Sequence, residues 1–63
     1  MYCNKFFETR EDALKFRKEH GGVLYSNTTR SKTKDAYMVE ARMMGKTEEF
    51  RNKHPFVVAW NEV

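Results

Sequence analysis

Ala36-Tyr37-Met38-Val39-Glu40-Ala41-Arg42-Met43-Met44 is the stretch on which the fold turns. Ala, Met, Glu and Arg all favour helix. On a helical wheel, however, Glu40 falls between Ala36, Met43 and Met44, in the middle of the apolar face. Alternation gives a cleaner partition. Tyr37, Val39, Ala41 and Met43 share one side, and Met38, Glu40, Arg42 and Met44 share the other. Period two therefore predicts a strand over 36–44, with the first set turned inward and the second forming a mixed, partly solvated surface.

The residues just before it sharpen the contrast. Ser26 to Asp35 contains no apolar side chain and carries Arg30, Lys32 and Lys34. Val23-Leu24-Tyr25, ahead of that segment, has the composition of a strand. Two strands joined by a solvated cationic hairpin loop follow from this arrangement. In an extended ribbon the alternation of Arg30, Lys32 and Lys34 with Ser31 and Thr33 would point all three cations the same way.

Outward from this centre the signals are stronger. Tyr2 to Phe7 is an aromatic-rich run that predicts an opening strand. Thr9-Arg10-Glu11-Asp12 places a hydroxyl cap three residues before a carboxylate, with acids in the first turn where the helix dipole favours them. Ala13, Phe16, Arg17 and His20 continue at helical spacing, and Gly21-Gly22 supplies the stop. Gly45 ends the central stretch. Thr47 caps a short second helix anchored by Phe50 and closed before Pro55, which biases His54 away from helical geometry. Phe56 to Trp60 predicts the last strand, with Phe56, Val58 and Trp60 on one face.

The predicted order is β-α-β-β-α-β, an α+β fold with a small single-layer antiparallel sheet and one or two helices packed on one face. A ferredoxin-like or related sandwich suits that order, and a plain three-stranded sheet with one main helix suits the same signals. RNA-recognition domains share the order, but Ala36, Met38 and Ala41 stand where their stacking aromatics belong, so the chain is not placed among them. Residues 1–63 are expected to form one domain.

Such a chain buries only about 60% of the surface its unfolded form exposes, which leaves a thin stability margin. Its composition is nonetheless that of a folded protein, with 14% aromatic residues bringing large area per side chain. Twelve Lys and Arg against nine Asp and Glu give a net charge of +3, too mild for a tail that merely coats nucleic acid. The lone Cys3 permits no internal disulfide and fits a reducing compartment. With no signal-type segment and no apolar run of membrane-spanning length, a cytoplasmic location is expected.

No catalytic constellation is expected. Cys3 has no glycine-framed nucleophile turn around it, His20 sits in the last turn of a helix where a cation complements the dipole, and His54, just before the proline, is expected to be solvated. One Cys and two distant His do not make a metal site, and no cofactor or small-molecule substrate is implied. The chain reads as a non-enzymatic binding module. The leading expectation is protein–protein interaction, as a homodimer or as an accessory or inhibitory protein of the kind phages and mobile elements carry. It would act through the sheet face bearing Leu24, Met38, Glu40, Arg42 and Met44, since methionines adapt to partner surfaces. The alternative is nucleic-acid binding by the basic loop, with Arg30, Lys32 and Lys34 on phosphates and Tyr25 and Tyr37 stacking on bases.

Overall fold

A computed structural model describes residues 1–63. The elements are β1 (Tyr2–Phe7), α1 (Arg10–His20), β2 (Val23–Ser26), α2 (Lys34–Met43), α3 (Glu48–Lys53) and β3 (Phe56–Asn61). The strands form one sheet in the order β1-β3-β2. Both edge strands run antiparallel to β3, with Phe6 opposite Val57 in one pair and Tyr25 opposite Val57 in the other. The α+β class with a small single antiparallel sheet is thus the observed architecture.

The central stretch is the point of correction. Residues 34–43 form a helix, so the order is β-α-β-α-α-β and not the expected β-α-β-β-α-β. Tyr37 and Ala41 are fully buried, as expected, but Val39 and Met43 are 53% and 57% exposed on the outer side. Tyr37 and Ala41 lie four residues apart, a spacing that puts them on one face in a strand and in a helix alike. Glu40, the objection to a helix, does occupy the inward face and is only 5% exposed. It is accommodated because Tyr2 Oη donates to its Oε1 at 2.5 Å and Asn4 Nδ2 donates to the same oxygen at 2.9 Å. A buried carboxylate is tolerable when it is hydrogen-bonded, and β1 supplies the donors.

The helices also divide between the two sheet faces, where the sequence suggested one. Side chains alternate along a strand, so Tyr2, Asn4 and Phe6 point one way and Lys5 and Phe7 the other. On the first face α2 and α3 pack. Tyr37 meets Phe6 edge-on at 5.7 Å, and Phe50 meets Phe6 at 5.6 Å. Tyr37, Ala41 and Val57 form the buried cluster here, with Phe6, Tyr25 and Met38 against it. On the second face α1 packs, its Phe16 ring 5.0 Å from Trp60 and 5.3 Å from Phe7, with Ala13 and Val58 fully buried.

The helix signals flanking the centre are realised as expected. Asp12 N donates to Thr9 Oγ1 at 3.2 Å, and Phe50 N donates to Thr47 Oγ1 at 3.2 Å. Gly21 closes α1, its N–H donating to Arg17 O at 2.7 Å. Gly22 serves a different end. At φ +104° a Cβ there would sit 2.8 Å from Trp60 Cβ and closer still to the Ala59 carbonyl oxygen, so β2 can approach β3 only with glycine at its entrance. No helix is long and apolar enough to cross a membrane.

Candidate functional site: an arginine-lined groove

Arg10 and Arg17 are seven residues apart, two turns of α1, and therefore project from the same side of that helix. That side faces the β2 edge of the sheet. Beyond it, the turns linking β2 to α2 bring in Arg30. Together the three guanidinium groups line one groove of about 460 Å³. Ser26, Thr28, Ser31 and Thr33 contribute hydroxyls, and Leu24 and Phe56 supply the apolar part of its wall. Leu24, Ser26 and Phe56 belong to the α1 face of the sheet, as their register requires, since Leu24 lies opposite Val58 and Ser26 opposite Phe56. No carboxylate lines the groove. The one acid–base contact of salt-bridge length in the protein is His54 Nε2 with Glu8 Oε1 at 3.5 Å, so none of the three arginines has a carboxylate partner.

The loop wall is held by its own hydroxyls. Ser26 N donates to Thr33 Oγ1 at 2.9 Å, Thr33 N donates to Ser31 Oγ at 3.1 Å, and the Ser31 and Thr33 hydroxyls lie 2.8 Å apart. Ser26 Oγ donates to Thr28 Oγ1 at 3.2 Å. Asn27 N donates to Pro55 O at 2.8 Å, tying the start of the loop to β3. Thr33 is the N-cap of α2 but makes no capping bond with its side chain, because its hydroxyl is committed to Ser26. A wall fixed in this way needs little reordering when a ligand arrives.

The expected site residues are distributed differently from the sequence reading. Arg30 lines the groove, whereas Lys32 and Lys34 are exposed outside it. They do not share a ribbon with Arg30, since the segment turns at Thr29–Arg30 and Lys32–Thr33 and Lys34 opens α2. Tyr37 is fully buried, and Tyr25 packs against the same cluster, so neither presents a face to a base. Tyr37 Oη instead donates to His54 O at 2.6 Å, pinning α2 to the approach of β3. Burial raises the pKa of this phenol, with the nearby Arg51 charge opposing.

The open sheet face expected to carry Leu24, Met38, Glu40, Arg42 and Met44 does not exist, because both faces are covered. Leu24 is half-buried on the α1 face, Met38 packs against the core, and Glu40 is buried against β1. Arg42 and Met44 are exposed on and just after α2. In the sequence Arg10 and Arg17 figure only as residues of the first helix. Their seven-residue spacing was the available signal.

No family model, curated protein or solved structure gives a significant match to this chain. Guanidinium groups offer forked N–H donors suited to phosphate oxygens, and hydroxyls add neutral donors around them. The groove thus offers a donor set that matches phosphate oxygens.

Proposed function

We propose that the protein is a non-enzymatic nucleic-acid-binding module that holds the phosphate backbone in the groove between α1 and the 27–33 loop. The observation that carries this reading is the convergence of Arg10, Arg17 and Arg30, free of carboxylates, on one concavity. Lys32 and Lys34 stand exposed beside it and extend the positive surface along a strand too long for the groove itself. Phosphate contacts of this sort position a nucleic acid and set affinity. With Tyr25 and Tyr37 packed in the core, neither tyrosine offers a stacking face, and a duplex is a better fit than a run of unpaired bases.

The test is a salt titration of binding to a fluorescent duplex. Affinity should fall steeply between about 50 and 200 mM salt, with a slope near −0.9 for each phosphate neutralised. Replacing Arg10, Arg17 and Arg30 together by Ala should flatten that slope by roughly 2 to 3. A slope that does not change in the triple variant overturns the proposal.

A second reading rests on the outer side of α2. Val39, Met43 and Met44 are each more than half exposed there, an apolar strip beside Arg42 that suits a protein partner. Binding through that strip would be insensitive to salt and lost on Met43→Lys.

A further inference from the structure

We infer that the groove reads the end of a nucleic-acid strand, taking a terminal phosphate monoester in preference to the diesters along the backbone. This rests on the nucleic-acid reading and narrows it.

The first reason is shape. The groove is walled by α1 on one side and by the loop on the other, with Leu24 and Phe56 between them. Its volume of about 460 Å³ is in the range of sites that hold a small molecule. A space of that size suits one phosphate and the nucleoside that carries it.

The second reason is charge and valence. A monoester carries close to two negative charges at neutral pH, its second pKa being near 6, and presents three unesterified oxygens. A diester carries one charge and presents two. Arg10, Arg17 and Arg30 come from well-separated positions and have no carboxylate partner, so their charge is available to a dianion. Forked donors drawn from both walls of the groove, α1 and the loop, suit the monoester's extra oxygen.

The third reason is the composition of the wall. Phe56 is half-buried, and with Leu24 it gives an apolar surface next to the arginines. The nucleoside carrying the terminal phosphate has an apolar face to lay there, and at a strand end it is the nucleoside most readily freed from its neighbours.

The experiment compares duplexes of one sequence at one salt concentration. One is a dumbbell closed at both ends, and the linear ones carry 5′-phosphate, 3′-phosphate or hydroxyl ends. At least one phosphorylated duplex should bind about tenfold or more tightly than the dumbbell and the hydroxyl-ended form. Arg17→Lys with Arg30→Lys keeps the charge but removes the fork, so it should bring the ratio of phosphorylated-end to dumbbell affinity down to about one. The preference should also shrink at pH 5, where the monoester has lost its second charge. Equal affinity for the dumbbell and every phosphorylated duplex overturns the inference and leaves the nucleic-acid reading in place. Failure to bind any of the duplexes overturns both.

Discussion

The Tyr2 hydroxyl donates to Glu40 Oε1 at 2.5 Å, joining the first residue of β1 to the inward face of α2 across 38 positions of sequence. Asn4 Nδ2 shares the same oxygen. This contact lets a helix with a carboxylate in its buried stripe lie on the sheet, and it links the N-terminal strand to the middle of the chain. Hydrogen bonds to charged groups contribute about 1.5–3 kcal/mol. Against a total of roughly 3–5 kcal/mol for a domain of this size, that is a large share.

Glu40→Ala should accordingly lower stability by roughly 1.5–3 kcal/mol in urea unfolding, with m unchanged. Tyr2→Phe should cost less, since its ring remains and Asn4 still serves the carboxylate. The double variant should show a coupling of at least about 0.5 kcal/mol, and strict additivity would deny the bond its role.

Alkaline pH should weaken the fold through the same pair. The Tyr2 pKa is pushed up to about 12, first by burial of its hydroxyl and then by the hydrogen bond and negative charge of Glu40. Below pH 10 both folded and unfolded chains keep the proton, and the contribution to stability is complete. Between pH 10 and about 12 the unfolded chain releases it and the folded chain does not, so stability is lost as pH rises through that window. Tyr37 shifts in the same direction, by burial, and adds to the loss. An absorbance titration of phenolate should show late ionisation in the native protein, and Tyr2→Phe should remove part of it. Tyr2 as a whole is 49% exposed, so solvent will moderate the effect on stability.

Substitutions along α2 separate a helix from a strand directly. Val39→Lys should change stability by no more than about 0.5 kcal/mol, because Val39 faces solvent. Ala41→Lys should unfold the protein, since Ala41 is fully buried and has no partner for a charge. Were the stretch extended with Val39 and Ala41 on one side, both would be severe. Circular dichroism with thermal melts decides it.

Gly22→Ala should destabilise by roughly 1–3 kcal/mol or more, from strain at positive φ combined with collision against the Ala59 carbonyl and Trp60 Cβ. Gly21→Ala meets no neighbouring atom, so only the strain of its own φ of 78° applies and the loss should be smaller. Equal melting temperatures for the two variants would contradict the close approach of β2 and β3.

Thr33→Val tests the groove wall. The substitution keeps the shape but leaves Ser26 N without its acceptor, at a cost of about 1 kcal/mol. Loosening the loop that carries Arg30 should weaken duplex binding several-fold. Thr29→Val, at an exposed position in the same loop, is the control and should alter neither stability nor binding.

Much of this architecture could be read locally. The Thr9 and Thr47 caps, the glycine stop after His20, the proline that limits α3 and the aromatic strands at both ends are properties of a few neighbouring residues, and the folded chain keeps them all. The candidate site was legible only in fragments. Arg30 and the loop hydroxyls stood out in a polar run, but Arg10 and Arg17 join them only when α1 is laid across the sheet and β2 brings the loop to its side. Lys32 and Lys34 resembled Arg30 in sequence and part from it because the segment turns where a ribbon was expected.

Composition and spacing by themselves determined a small α+β protein with an antiparallel sheet, a capped first helix and a cationic loop. They did not determine the state of residues 34–43, since Tyr37 and Ala41 satisfy both periods. The choice was made by Tyr2 and Asn4, whose donors meet Glu40 only in three dimensions. Local periodicity reports which side of an element is apolar. Whether a polar group on that side is tolerated depends on partners distant in sequence, and those exist only once the chain has folded.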